Sequence, residues 1–317
     1  MEHEDIYHRL RKEIDQRMPV GMPPSQDGSE IMLLKKLFTE EEARIAVHLS
    51  ALPETLTKIH RRIKKAGLAY SAVELERMLD GMLKKGLIMG GSLFTKPHHY
   101  SLAQFAIGIY EFQVDRQDEE FVRHAKNYME KTFISEFYRR DRPGQMRTIP
   151  VHESLENTPA VSTYNDILAI ADTVSEPIVV MNCVCKQSMD IEHEPCRLSD
   201  RRDTCFLFGN FAQHILDNKV PSARVITRDE FISIIGDLSE TGYILQPQNT
   251  KIPNFLCACC GCCCNILLGY KMHPRPADYF QSSYRAEVIP DNCSSCEACI
   301  LGLPRKTGHE VKHKLRY

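Results

Sequence analysis

The sequence has 317 residues, of which 43% are hydrophobic and 26% charged, the composition of an ordinary globular protein of two or three domains. Its formal charge of −2 excludes a global electric field that would attract nucleic acid or an anionic membrane. No apolar run reaches the roughly 18–20 residues of a membrane-spanning helix, and the charged start MEHEDIYHRLRKE lacks the apolar core of a signal peptide. These features predict a cytoplasmic protein without membrane insertion.

Residues 31–102 have the pattern of three short helices followed by a β-hairpin. Thr39 and Glu42 have the spacing of a capping box, and Ser71 and Glu74 repeat it, so a helix is expected to begin at each box. PETLTKIHRRIKKAG predicts a helix between them that ends at a glycine. LIMGGSLFTKPHHYSL then predicts a hairpin. Together these parts predict an N-terminal winged helix-turn-helix domain.

The rest of the chain divides into further segments around this domain. An N-terminal extension at 1–30 precedes it, and a helical linker and connector over 103–159 follow it. Next, YNDILAIADTV, CFLFGNFAQHILDN and RDEFISIIGDLSETG predict helices, and PIVVMNCVC, ARVIT and YILQPQ predict strands, which make a small α/β domain over 160–256. The last segment, 257–317, has too few core residues to fold without metal. The predicted class is therefore α+β and multidomain, with a C-terminal ferredoxin-like segment organised by metal.

All 13 cysteines lie between Cys183 and Cys299. Since the cytoplasm keeps thiols reduced, this crowding indicates metal binding rather than disulfides. At the C-terminal end, Cys293, Cys296 and Cys299 have the C-x-x-C-x-x-C spacing that ligates irons of a [4Fe–4S] cluster in bacterial ferredoxins. Leu303 stands where a further cysteine precedes proline in those proteins. A fourth ligand is therefore expected from elsewhere in the chain.

The stretch CACCGCCC holds six thiols in eight residues. Cys257, Cys260 and Cys263 repeat the three-residue spacing, which predicts a second iron–sulfur cluster. Two such runs with spare donors are the pattern of a two-cluster module. The spare thiols, any of which can complete either cluster, are Cys259, Cys262 and Cys264.

A third group of thiols precedes these runs. A Cys-x-Cys pair at the end of a predicted strand and two later cysteines in predicted loops can close four ligands around one metal centre: Cys183, Cys185, Cys196 and Cys205. Basic neighbours that suit a negatively charged cluster are Lys186, Arg197, Arg201 and Arg202. Zinc also binds sites of four cysteines, so zinc is the alternative metal, above all for this group.

The predicted recognition helix, SAVELERMLDGMLKKG, carries no net positive charge. It also has few side chains that read base edges in the major groove. The preceding stretch KIHRRIKK is basic and can meet phosphates, although a solvated helix face is the commoner role of such a segment. DNA is therefore a possible but not a favoured partner, and the domain is expected to dock a protein.

The order of these motifs resembles that of a known family. LFTEEEARIAVHLS and MLDGMLKKGLI are followed by RTIPV, CVCKQ, TCFLFGNFA, CACCGCCC and CSSCEAC. This order is similar to that of prokaryotic 4Fe–4S ferredoxin-type iron–sulfur proteins, mostly from anaerobes, with an N-terminal winged helix. The resemblance spans residues 31–304. Members usually end in two complete four-cysteine motifs, whereas here only Cys293, Cys296 and Cys299 match the first motif and the second is missing.

These observations lead to an expected function in electron transfer. One to three [4Fe–4S] clusters are expected, passing electrons to a partner reductase or reductase complex. No phosphate loop, dinucleotide fingerprint or nucleophile–base pair is recognisable, which favours an electron carrier, or the electron-feeding subunit of an oxidoreductase, over an enzyme with its own substrate site. Two other hypotheses remain, a redox- or metal-sensing winged-helix regulator and a zinc-stabilised interaction protein.

Overall fold

The computed structural model of the protein describes residues 5–94, 98–138, 144–150, 152, 165–273, 275–279, 281–284 and 290–295. Within these ranges, twelve α-helices and two antiparallel sheets form an α+β protein, so the coarse predicted class is confirmed. No helix in the same ranges combines the length and the apolar character that a membrane crossing requires.

The N-terminal part contains five helices and a three-stranded sheet. The helices are α1 (Ile6–Arg17), α2 (Ser29–Leu37), α3 (Glu40–Ala46), α4 (Leu56–Lys65) and α5 (Ala72–Lys84). The strands are β1 (Glu54–Thr55), β2 (Ile88–Gly90) and β3 (His99–Leu102), paired antiparallel in the order β1-β3-β2. The capping boxes of Thr39 with Glu42 and of Ser71 with Glu74 are both present, so the predicted starts of α3 and α5 are confirmed.

A helical segment joins this part to the cysteine-bearing part. It contains α6 (Glu119–Tyr128) and α7 (Ile134–Phe137), and α6 lies against α2. The Phe105 ring stands edge-on to the rings of Tyr128 and Phe133, with centroids 5.3 Å apart in both pairs. These rings belong to a hydrophobic core that continues under one face of the second sheet. The two parts therefore share one core.

The cysteine-bearing part is a five-stranded antiparallel sheet with helices on both faces. Its strands are β4 (Ile178–Asn182), β5 (Asp203–Phe208), β6 (Arg224–Ile226), β7 (Ile244–Pro247) and β8 (Phe255–Cys259), in the spatial order β6-β4-β5-β8-β7. Its helices are α8 (Ile167–Thr173), α9 (Val184–Ile191), α10 (Gly209–Asp217), α11 (Arg228–Thr241) and α12 (Asn265–Met272). Residues of α8 and α11 pack on one face and residues of α10 and α12 on the other.

One predicted helix begins later than expected. CFLFGNFAQHILDN was expected to be helical throughout, but Asp203–Phe208 is the middle strand of the sheet and the helix begins at Gly209. Phe206 and Phe208 pack edge-on against Phe231, with ring centroids 5.1 and 5.5 Å apart. Burial of these aromatic side chains on the sheet therefore outweighs the helical pattern. Gly209, with φ +53°, makes the turn from strand to helix.

Strand β8 crosses the expected division between segments 160–256 and 257–317. It pairs with β5 on one side and with β7 on the other, so the first thiols of the CACCGCCC run lie inside the sheet. Hydrogen bonding to two neighbouring strands, and not metal alone, therefore positions this part of the cysteine-rich segment.

The position of α12 depends on a close contact at Gly269. A Cβ placed there would lie 2.9 Å from Cε2 of Tyr138 and closer still to Ile134. Gly269→Ala is therefore expected to lower the free energy of unfolding by about 1–2 kcal/mol, because overpacking exceeds the gain in helix propensity.

Gly236 in α11 provides the matched control for this prediction. A Cβ at that helical position meets no atom within 4 Å, so Gly236→Ala is expected to raise the free energy of unfolding by up to about 1 kcal/mol. Urea unfolding followed by circular dichroism measures both variants. If both substitutions changed the free energy of unfolding by the same amount and in the same direction, the result would contradict the close contact at α12.

Candidate metal centres

Four cysteine sulfurs converge at the end of the second sheet, and we call them the four-thiol centre: Cys196, Cys260, Cys262 and Cys263. The Sγ of Cys196 lies 3.6 Å from that of Cys260 and 3.7 Å from that of Cys262, and the Sγ atoms of Cys262 and Cys263 are 3.7 Å apart. All four sulfurs lie within 4.8 Å of one another. Since metal–sulfur bonds of about 2.3 Å place the corners of a tetrahedron about 3.8 Å apart, the four-thiol centre can hold a metal ion.

Two separate stretches of chain build the four-thiol centre. Cys260, Cys262 and Cys263 lie in the turn between β8 and α12, and Cys196 lies in the loop between α9 and β5. Arg202 anchors that loop, since its guanidinium donates to both carboxylate oxygens of Asp190 in α9 at 2.6 and 2.7 Å. The Cys196 thiol is thereby brought to a turn 64 residues away in sequence.

A buried lysine provides positive charge next to the four-thiol centre. Lys186 is only 1% exposed, and its Nζ donates to the carbonyl of Arg201 at 2.6 Å and to the hydroxyl of Tyr243. Burial disfavours the ammonium, but the Tyr243 hydroxyl and the nearby sulfurs of Cys196 and Cys260 raise the pKa of Lys186 above its ordinary value. A charged lysine offsets the negative charge of metal-bound thiolates.

Cys260 is an acidic thiol of the four-thiol centre. The S–H of Cys263 donates to its sulfur and is the main reason why the pKa of Cys260 falls to about 5, with smaller contributions from the Cys196 thiol and the charge of Lys186. Cys260 is therefore a thiolate at neutral pH, which is the form that binds metal.

Six more thiols form a second group on the opposite face of the sheet, and we call them the six-thiol group. Each thiol shifts the pKa of its neighbour, and this links them into one chain that runs in order through Cys183, Cys185, Cys264, Cys259, Cys257 and Cys205. Electrostatic contacts between Cys183 and both Cys257 and Cys259 bring the start of this chain back to its middle. All six sulfurs therefore lie in one compact region.

Strand geometry assembles the six-thiol group. Cys257 and Cys259 point to the same face of β8 because side chains alternate along a strand, and Cys205 of β5 is the direct cross-strand partner of Cys257. Cys183 and Cys264 occupy the N-cap positions of α9 and α12. Helix N-termini present free backbone N–H groups, which stabilise negative charge on nearby sulfurs.

Amide groups surround the six-thiol group. Nδ2 of Asn265 lies 3.7 Å from the sulfur of Cys185 and 3.0 Å from the hydroxyl of Tyr110. Cys183 and Cys264 are the N-cap residues of α9 and α12, so the free backbone N–H groups of these two first turns lie beside their sulfurs. These donors resemble the N–H···S bonds that orient thiolate ligands and tune metal–thiolate centres.

A cavity of about 190 Å³ opens beside the two groups. Cys262 of the four-thiol centre lines it, together with Tyr110, Ser188 and Asn265. Because Asn265 also contacts Cys185, this cavity is adjacent to both groups of thiols. Cys262 is accordingly a thiol of the four-thiol centre that faces open space.

The structure regroups the cysteines that the sequence suggested as ligand sets. The expected set Cys183, Cys185, Cys196 and Cys205 does not form one site, since Cys196 belongs to the four-thiol centre and the others to the six-thiol group. The expected run Cys257, Cys260 and Cys263 is split in the same way, because Cys257 and Cys260 lie on opposite faces of the sheet. Cys205 lies on strand β5, not in a loop.

The C-terminal ferredoxin-type run is described only at its first member. Cys293 is exposed and follows a short turn of 3-10 helix, and Cys296 and Cys299 lie outside the described residues. Sequence reasoning also missed Tyr110, Tyr243 and Asn265, because a buried hydroxyl or amide next to a thiol leaves no spacing pattern. No protein-family model, curated protein or solved structure matches this chain.

Proposed function

We propose that this chain is an iron–sulfur protein of the cytoplasm that transfers electrons to a partner reductase. The observation that carries the proposal is the adjacency of two groups of buried and half-buried thiols, ten in all among the described residues. Asn265 contacts Cys185 of one group and lines the same cavity as Cys262 of the other. Neighbouring centres allow an electron to move between them without any movement of atoms.

The number of thiols favours iron over a purely structural metal. A structural zinc site needs four ligands, and six further thiols in contact with one another have no role in such a site. Cysteines that serve only to pack the core do not require a side-chain amide directed at a sulfur, as Asn265 is at Cys185. Iron bound by these thiolates would supply one-electron redox chemistry, which zinc lacks.

The chain's own residues have definite roles in this proposal. The thiolates hold the metal, the Lys186 ammonium offsets negative charge at Cys196 and Cys260, and the Asn265 amide fixes the sulfur of Cys185. The cavity lined by Cys262 is the side from which a redox partner approaches most closely. No proton transfer is required for this function.

Metal analysis of protein purified without air tests the proposal. We expect iron, acid-labile sulfide and a brown colour that bleaches when dithionite is added. Electron exchange with a reduced ferredoxin, followed by the same absorbance, then tests the transfer itself. A colourless, folded protein that holds zinc but neither iron nor sulfide would refute the electron-transfer function.

A zinc-stabilised interaction protein is the second candidate, and the four-thiol centre favours it. Its sulfur–sulfur distances of 3.6–3.7 Å fit one tetrahedral ion, and zinc prefers such a set of four thiolates. Zinc at this centre is compatible with electron transfer only if the six-thiol group holds iron. The metal analysis therefore separates the two candidates.

A redox-sensing regulator is the third candidate, supported by the order of elements in the N-terminal part. Helices α3 to α5 with the sheet order β1-β3-β2 fit a winged helix. Two of its basic residues are engaged within the fold, however, since both Lys58 and Arg62 of α4 pair with Glu54. A DNA shift assay with oxidised and reduced protein tests it, and sequence-specific binding that changes with redox state would favour the regulator.

A further inference from the structure

We infer that the two groups of thiols hold two centres of different nuclearity: a single metal ion at the four-thiol centre and a cluster of two or more metal atoms at the six-thiol group. This inference deepens the proposed function and rests on its claim that the buried thiols bind metal. It does not depend on the identity of that metal.

Convergence of the sulfurs supports a single ion at the four-thiol centre. Three pairs of these sulfurs are 3.6–3.7 Å apart, the edge length of a tetrahedron around an ion with bonds of about 2.3 Å, and all four sulfurs lie within 4.8 Å of one another. In a cubane cluster each thiolate binds a different iron, which holds the ligand sulfurs farther apart than in a single-ion site. The four-thiol centre is too compact for such a cluster.

The six-thiol group lacks this convergence. The described residues include all six of these cysteines. Among those residues, only the four-thiol centre brings three or more ligand atoms within 4.8 Å of one another. The sulfurs of the six-thiol group come from β5, β8 and the first turns of α9 and α12, so they spread around a region instead of surrounding a point. Such an arrangement fits a centre in which different thiolates bind different metal atoms.

The number of donors and their charge lead to the same conclusion. One tetrahedral ion uses four thiolates, whereas two tetrahedral ions that share two bridging thiolates use six. A [4Fe–4S] cluster uses four thiolates and leaves two thiols as neighbours. In both cases several metal charges balance the thiolates, beside which lies a neutral donor, the side-chain amide of Asn265.

The two centres load independently because the sheet separates them. Cys259 belongs to the face covered by α10 and α12, and the next residue, Cys260, belongs to the face covered by α8 and α11. These two thiols are adjacent in sequence and both buried, so each serves as a matched control for the other. Alanine is the replacement of choice because it leaves no unpaired hydroxyl in either core.

The test is the number of metal atoms and sulfide ions per chain in wild type, Cys259→Ala and Cys260→Ala, each purified without air. We expect Cys260→Ala to lose one metal atom and no sulfide. We expect Cys259→Ala to lose two or more metal atoms, with sulfide if the centre is an iron–sulfur cluster and without it if thiolates bridge the ions. Native mass spectrometry of the intact chain provides the same count independently.

Several outcomes would overturn the inference: one metal atom in the wild type, a loss of one atom or none in Cys259→Ala, or equal losses in both variants. If Cys259→Ala does not fold, Cys205→Ala at the end of the thiol chain replaces it with the same expected loss. Zinc at both centres in the expected numbers would refute electron transfer and leave the inference standing. Failure of the proposed function and failure of the inference are therefore distinguishable.

Discussion

Cys260→Ala is expected to lower the free energy of unfolding of the metal-loaded protein by about 4 kcal/mol or more, in the range that follows loss of a bound metal. Cys260 accepts hydrogen bonds from both Cys196 and Cys263, and it is the thiolate around which the four-thiol centre is organised. Metal binding by a thiolate site is linked to folding because the site does not exist in the unfolded chain. Loss of this ligand therefore removes both an ion and the folding energy that the ion supplies.

The loop between α9 and β5 provides a local readout of the same change. It has little regular structure of its own. The hydrogen bond from Cys196 to Cys260 joins it to the turn after β8, which is 64 residues away in sequence. Backbone hydrogen exchange is expected to accelerate in residues 194–199 of Cys260→Ala and to remain slow in β4 and β5. Denaturant unfolding with and without a chelator measures the global effect.

Leu52→Ala is the control for this experiment, because Leu52 is 73% exposed and belongs to no group of thiols. Its free energy of unfolding is expected to stay within about 0.5 kcal/mol of wild type, as for an ordinary surface substitution. If Cys260→Ala has the same free energy of unfolding as wild type, and a chelator changes that free energy equally in both proteins, the four-thiol centre contributes no binding energy. The metal-site assignment would then be wrong.

Lys186→Met is expected to weaken metal binding at the four-thiol centre by about 10- to 100-fold, the usual effect of removing a group that supports metal ligands. Four thiolates around a divalent ion carry a net charge of −2, and the buried ammonium lies beside two of them, Cys196 and Cys260. Methionine fills a similar volume but provides no charge, so the buried negative charge loses a compensating partner. Release of metal to a chromogenic chelator, at increasing chelator concentration, measures the change.

Lys64→Met is the matched control for Lys186→Met, since it removes the same formal charge from an exposed position of α4. A long-range effect of net charge would weaken binding equally in both variants, whereas a local effect appears only at Lys186. Near-ultraviolet circular dichroism establishes that both variants keep the packed core. Metal affinity of a folded Lys186→Met within twofold of wild type would exclude the proposed role of Lys186.

Local signals in the sequence determined much of the scaffold. Thr39 and Ser71 begin helices because a hydroxyl followed three residues later by glutamate satisfies the free N–H groups of a first turn, and no distant residue is needed. The hairpin of β2 and β3 was predictable for a similar reason, since glycine and proline mark its loop. The crowding of thiols in the last part of the chain likewise indicated metal before any fold was known.

Tertiary structure decided which thiols belong together. The three-residue spacing of Cys257, Cys260 and Cys263 suggested one cluster, but Cys257 and Cys259 lie on a strand, where residues two apart share a face. The alternation in FLCAC was the available signal, and the surrounding cysteines obscured it. Strand β5 escaped prediction because the packing of Phe206 against Phe231 joins residues far apart in sequence.

The location of charge was also decided by the fold alone. Lys186 was recognised in the sequence as one of several basic neighbours of the thiols, and nothing there distinguished it from an exposed residue. Its burial depends on Tyr243 and the carbonyl of Arg201, which the sheet and its loops bring to the first turn of α9. Sequence by itself therefore determined the chemistry available to this protein, and contacts between distant segments determined which thiols share a centre and which charge supports it.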